Sequence, residues 1–338
     1  MKRISIYAIA QEAGVSTATV SKIVNNQGNI SRDTALRVLD IIKKHNYVPQ
    51  QRKQTSNGIG VITFNTNARP FSSPFNSRLL TGVCLQCFKE AKDMVLIDGD
   101  RLENYSPEEL YCYYVNNSLA GVLLCNKDEN DPFCIRMKQS GVPFLLLANS
   151  TIEGDVSFVA ARNYESVSEM VDYMICLGHT RIAYVGLQSQ KQESYQERIR
   201  AFFDVHKKYG IEPREDYVLA LPNAEIQTIK NALQKLLSRP EPPTALFVGS
   251  EDCMKIYSIL AEMKIKVPED ISVASYRLET DTDAFGIDYS SIIQPAARIG
   301  RHGVTGLLEL VNSSSEAVRE KLDNTVNFGE TIRRISEK

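Results

Sequence analysis

Ile6-Tyr7-Ala8-Ile9-Ala10-Gln11-Glu12-Ala13-Gly14-Val15-Ser16-Thr17-Ala18-Thr19-Val20-Ser21-Lys22 sets a short apolar helix, a Gly-Val-Ser turn and a second helix opening in small hydroxyl residues side by side. Ile6, Ile9, Ala10 and Ala13 fall at helical intervals and make one buried face, while Gln11 and Glu12 stay outside. Gly14 can take the left-handed backbone that reverses the chain. Ser16 is placed to cap the second helix. Val20, Ile23 and Val24 turn that helix toward a core, leaving Thr17, Ala18, Ser21 and Lys22 outward. Ser31 opens a third helix that brings Leu36, Val38, Leu39, Ile41 and Ile42 to close the core. Three helices with this turn form the helix-turn-helix pattern, whose second helix enters the major groove.

Charge points the same way. Residues 1–57 hold nine Lys or Arg against three Asp or Glu, yet the whole chain carries a net charge of −2, so a basic head sits on an acidic body. At 338 residues, 43% hydrophobic and 24% charged, the chain suits two or three globular units and has no apolar run long enough to span a bilayer. It enters a helix pattern without an apolar signal segment, which predicts a cytoplasmic protein. Its seven cysteines are dispersed, and their odd number in that setting predicts reduced thiols. Cys84 and Cys87 have CxxC spacing on an amphipathic helix, with no second pair to complete a metal site. No cofactor and no metal are expected. The phosphate-loop, nucleophile-elbow and HExxH patterns are absent and the four histidines are scattered, so no enzyme is expected either.

From Ile59 onward short apolar strands alternate with helix-length segments, the pattern of parallel sheets covered on both faces. Strands are expected around 59–64, 94–97, 121–125 and 142–147. The pattern restarts after Gly154 with strands at Phe158, Ile182 to Val185, Val218 to Leu221, Ala245 to Val248 and Ile271 to Tyr276. Two such lobes face each other across a cleft at the carboxyl ends of their strands.

Over nearly its full length the chain resembles the LacI family of transcriptional regulators. The head carries Ile6-Tyr7, Val20 through Asn25, Ile30-Ser31 and Tyr47-Val48-Pro49. The body carries Pro74-Phe75, Leu177 through Tyr184, Glu197-Arg198, Thr244 through Phe247 and Val267 through Val273. The resemblance implies an all-α helix-turn-helix head (1–48), a linker (49–57) and a two-lobe α/β body (58–338) like the periplasmic binding proteins. It places the first lobe at about 58–155 and 288–319, and the second at about 156–287 and 320–338. The helix containing Leu307, Leu308, Leu310 and Val311 belongs to the first lobe's core, and no leucine repeat follows it, so a homodimer is implied rather than a tetramer.

The same resemblance implies a repressor that binds a pseudo-palindromic double-stranded DNA operator, with a small-molecule effector in the cleft. Thr17, Ala18 and Lys22 stand where such proteins read base edges, and lysine can donate to guanine O6 or N7. Ser16, Thr19, Ser21, Asn25 and Ser31 would hold the phosphate backbone. Two departures stand out. The segment Gln50 to Gly58 is shorter than usual and contains no Leu, Ile, Val or Met, so the apolar wedge for the central minor groove is missing; Arg52 and Lys53 are left to attract phosphate.

In the cleft, Arg162 and Arg277 replace the acidic residues of sugar-responsive relatives, Arg198 matches the family's cleft arginine, and Ser250-Glu251 replaces an Asn-Asp pair, with Asp252 the alternative in that register. Phe75 completes the expected effector set. Three converging guanidinium groups suit an anionic sugar derivative. The alternative is a degenerate cleft in which Arg162 or Arg277 pairs with Glu251 or Asp252 and no small molecule binds. A stand-alone solute-binding protein shares the body but not the basic head.

Overall fold

The computed structural model describes residues 5–24, 30–45, 57–64, 71, 73–125, 127–150, 155–187, 193–212, 214–250, 253–278, 286–313 and 317–335. The linker through residue 56, with Arg52 and Lys53, lies outside these, as do Asn25, Glu251 and Asp252.

The head is three helices, α1 (Ile6–Ala13), α2 (Thr17–Val24) and α3 (Arg32–Lys44). Ile9, Ala10, Ala13, Val20, Ile23, Val24, Val38, Leu39, Ile41 and Ile42 meet in one apolar core, as the helical spacing requires. Gly14 ends α1 at φ 64°, where a side chain would be strained. Ser5 caps α1 through the Ala8 N–H, and Ser31 caps α3 through that of Thr34. Glu12 ties α1 to the end of α3, accepting from Lys44 Nζ at 2.8 Å and meeting His45 Nε2 at 2.7 Å. Its carboxyl is held below the ordinary range by the Lys44 and His45 hydrogen bonds.

The body follows as β1 (Gly58–Thr63), α4 (Pro74–Lys89), β2 (Asp93–Asp98), α5 (Pro107–Asn116), β3 (Leu119–Cys125), α6 (Pro132–Ser140), β4 (Phe144–Leu147) and β5 (Phe158–Ala161). Next come α7 (Asn163–Cys176), β6 (Ile182–Leu187), α8 (Glu193–Lys208), β7 (Val218–Leu221), α9 (Ile226–Leu237), β8 (Ala245–Val248), α10 (Cys253–Glu262) and β9 (Ser272–Leu278). The chain closes with β10 (Ser291–Gln294), α11 (Ala296–Ser313), β11 (Arg319–Leu322) and β12 (Thr325–Asn327). The first sheet runs β11-β5-β4-β3-β1-β2, parallel throughout. In the second, β12-β10-β9-β8-β6-β7, only β12 is antiparallel to its neighbour. Central strands such as β3 and β8 are buried along their whole length, which explains their unbroken apolar runs.

The lobe boundaries shift from those expected. β5 pairs with β4 and β11, so it completes the first sheet rather than opening the second lobe at 156. β10 pairs with β9 and β12, so residues from 288 to 294 belong to the second lobe. β11 extends the first lobe to 322. The chain therefore crosses between lobes near 162, 295 and 323. A four-residue apolar strand buried on both faces reads alike in either sheet, and only its hydrogen-bonded neighbours settle its place.

Leu307 is fully buried against β1, β3 and β4, so α11 serves the first lobe's core. Where α11 crosses α4 the backbones nearly touch. A Cβ on Gly82 would land on the Ala297 carbonyl, and one on Gly300 on that of Leu79. Among the described residues no helix is long and apolar enough to cross a membrane.

Candidate functional site

The outward residues of α2 stand where the helical spacing puts them. Ser16, Ala18 and Lys22 are exposed, and Thr17, Thr19 and Ser21 half-buried, along the outer side of α2. Ser16 Oγ accepts from the Thr19 N–H at 3.1 Å and lies 2.8 Å from Thr19 Oγ1. Ser31 Oγ donates to Thr34 Oγ1 at 2.8 Å. These hydroxyls therefore act as caps that fix the starts of α2 and α3, and each oxygen keeps further hydrogen-bonding capacity. Tyr7, 74% exposed on α1, is a large outward aromatic that the sequence reading left out of the set.

In the body, Arg198 occupies the strongest constellation. It is 3% exposed, its guanidinium stacked 3.8 Å over the Tyr276 ring and 4.6 Å over that of Tyr195. Its Nη1 donates to the Gly249 carbonyl at 2.7 Å, just after β8. Gly249 is required there, because a Cβ would overlap the Tyr184 hydroxyl. Ser250, next in the chain, is buried.

Beside Arg198 the lobes touch. Glu197 is buried on α8 and accepts from Lys321 Nζ at 2.5 Å and from Ser150 Oγ at 3.2 Å, both first-lobe residues. The Ser194 N–H donates to Asn149 Oδ1 at 3.5 Å, and Asn149 Nδ2 donates to the Lys127 carbonyl at 2.8 Å. Sequence reasoning passed over these groups, although the Glu197-Arg198 doublet marks their place.

The expected three-arginine convergence is not what the described contacts show. Arg162, 47% exposed, lies at the first crossing and pairs with Asp323 at 3.0 Å and Glu165 at 3.5 Å; the expected pairing with Glu251 or Asp252 falls on residues outside those described. Arg277 is buried, with its guanidinium 4.6 Å over the Tyr289 ring, which meets Tyr257 edge-on at 4.8 Å. The physical reason is strand alternation: Tyr276 and Arg277 are consecutive on β9 and must face opposite sides of the sheet. Tyr276 takes the Arg198 side. Phe75, at the start of α4, packs half-buried against the first lobe's core.

Several other reactive side chains are absorbed by structure. Burial pushes the thiol of Cys87 up to about 11, and those of Cys125 and Cys134 to about 12, so the CxxC pair offers no thiolate from its buried member. His179 is fully buried between Thr244 Oγ1 at 2.9 Å and the Arg333 carbonyl at 3.0 Å, and burial holds its pKa below the ordinary value. Among the described residues no cluster of three or more His, Cys, Asp or Glu could hold a metal.

Comparison with known proteins matches the head and the later part of the body. Residues 5–50 match a family model described as bacterial regulatory proteins, lacI family, and residues 171–332 one described as a periplasmic binding protein-like domain. A Bacillus subtilis protein named "Probable HTH-type transcriptional repressor ExuR" is 24% identical over 98% of this chain and 99% of its own length. The transcriptional regulator CelR, solved with cellobiose, superimposes with a TM-score of 0.69 at 25% identity, covering 97% of this chain and all of that one. The lac repressor dimer bound to operator and the anti-inducer ONPF shares the fold, with a TM-score of 0.67 at 20% identity over 98% of this chain and all of its own.

Proposed function

The chain belongs to the LacI family of bacterial regulatory proteins, and on that premise we propose that it is a transcriptional repressor that binds a pseudo-palindromic operator as a homodimer and senses a small molecule between its lobes. One observation carries the reading: a capped helix-turn-helix whose second helix keeps Ala18 and Lys22 exposed in a basic head. Repression is supported by relatives that are named as repressors, and nothing in the reading requires catalysis. The dimer is supported by exposed apolar side chains on adjacent elements, Leu85 and Phe88 on α4 with Leu96 on β2.

The effector this cleft supports is a hydroxylated molecule with one acidic group, such as a sugar acid. Arg198 supplies one buried guanidinium over two tyrosine rings, while Arg162 is held in ion pairs at the first crossing and Arg277 stacks on Tyr289. A cleft that answers to no small molecule is the second reading. Lys321 and Glu197, which bridge the lobes directly, favour it.

In vitro selection from random duplexes tests the DNA reading. Enrichment of two inverted half-sites is expected, and recovery of no preferred sequence would remove it. A thermal-shift panel at millimolar ligand separates the cleft readings: a sugar acid should raise the unfolding midpoint more than its neutral parent. Silence across the panel leaves the second.

A further inference from the structure

A helix apolar on every side must be covered on every side. From Leu110 to Val115 α5 is such a helix: Leu110 is buried beneath it, and Tyr111, Cys112, Tyr113, Tyr114 and Val115 follow in succession. Tyr113 and Tyr114 pack with the first lobe's core, and Tyr114 donates to the Ala120 carbonyl at 3.1 Å. Cys112 packs against the head instead, with Tyr111 touching both bodies. Two polar contacts flank this seam. Asn116 Nδ2 donates to the carbonyl of Val24, the last residue of α2, and Lys43 Nζ on α3 donates to the Gln139 carbonyl at 2.5 Å.

We propose that the outer face of α5 is the seat of the DNA-binding head, and that Tyr111, Cys112 and Asn116 hold α2 and α3 so that head and first lobe move as one body. The seat leaves the reading face open, since Ser16, Ala18 and Lys22 stay exposed with the head docked; it positions the head rather than hiding it. Asn116 and Gln139 lie at the carboxyl ends of their helices, which run back to the starts of β3 and β4. Asn149 and Ser150 follow the other end of β4, where the lobes meet. A rotation of the first lobe driven from the cleft therefore reaches α2 through α5 as well as through the linker. The inference rests on the head being a DNA reader.

Thiol labelling of the full-length protein without DNA tests the seat independently of any operator. N-ethylmaleimide should modify Cys112 at least about tenfold more slowly than the exposed Cys176, because a covered thiol is inert. Joint replacement Lys43→Ala and Asn116→Ala should bring the two rates together. Labelling of Cys112 as fast as Cys176 in the unaltered protein would overturn the proposal. For function, Cys112→Glu should weaken binding to a selected operator about tenfold, since only a fraction of heads then stand correctly. The unfolding midpoint of the body should stay in place. Asn116→Ala, a milder change, should weaken binding in the same direction. Unchanged operator affinity in both variants would also overturn it, whereas failure of the unaltered protein to bind any duplex would strike the DNA reading and leave the labelling result standing.

Discussion

Lys321, on the edge strand of the first lobe, sets its ammonium 2.5 Å from the carboxylate of Glu197 on α8 of the second lobe. The Glu197 side chain is only 5% exposed and that of Lys321 29%, so the pair is a strut across the cleft whose carboxylate end is buried. Removing Lys321 would strand a buried carboxylate. Lys321→Ala should lower unfolding stability by about 3 kcal/mol, the usual cost of breaking a buried pair. Replacing both residues together, Lys321→Met with Glu197→Met, should recover most of that loss. Urea titration of the four proteins gives the coupling directly, and additive single effects would show that the pair does not act as a strut.

Local chemistry made the head legible: Gly14, Ser16 and Ser31 act within a few residues of themselves, and their roles in the fold follow from spacing alone. Between the lobes, the sequence singled out Arg198 but not the groups that join the lobes beside it. Glu197 and Lys321 stand 124 residues apart, and no local pattern joins them. Arg162 belongs to the first crossing because β5 pairs with β4 and β11, a matter of sheet neighbours that a short apolar run leaves open. Arg277 is different. Its separation from the Arg198 side was available in the sequence, since Tyr276 precedes it on one strand and adjacent residues face opposite ways.

Lys22 separates base reading from charge. If its ammonium donates to a guanine edge, Lys22→Ala should cost ~2 kcal/mol and relax the preference at one position of each half-site. Selection repeated with the variant measures this. A uniform loss across sequences, with the salt slope reduced by about one per head, would make Lys22 a phosphate contact instead.

His179 and His206 give the second lobe a pH dependence with a definite sign. Burial lowers both below the ordinary 6.5, although one nitrogen of each ring faces a backbone carbonyl, of Arg333 or of Phe202, that works the other way. Between 6.5 and the lower folded value the unfolded chain binds more protons, so stability is full above 6.5 and declines as pH falls through this window. The lowered carboxylates of Asp172 and Asp216 act further down, below their ordinary 3.8. The unfolding midpoint should therefore drop from pH 7 to pH 5, and His179→Gln should flatten part of that drop. A flat profile in the unaltered protein would contradict the assignment.

Phe88 offers the sharpest test of assembly. Its ring is 72% exposed on α4, with Leu85 53% exposed one turn away and Leu96 40% exposed on the neighbouring edge strand β2. A patch of this kind on a lobe whose core is already filled by Leu79, Leu80 and Val83 from the other side of α4 calls for a partner of like surface. A two-fold axis through α4 would bring each Phe88 against its counterpart and cover both edge strands. Phe88→Asp would place like charges at that axis. Sedimentation velocity should show dimer for the unaltered protein and monomer for the variant at micromolar concentration, and affinity for a selected operator should fall about a hundredfold as two linked heads become independent. A variant that still sediments as a dimer would move the interface away from α4, to the second lobe where Ile226 and Met254 are also exposed.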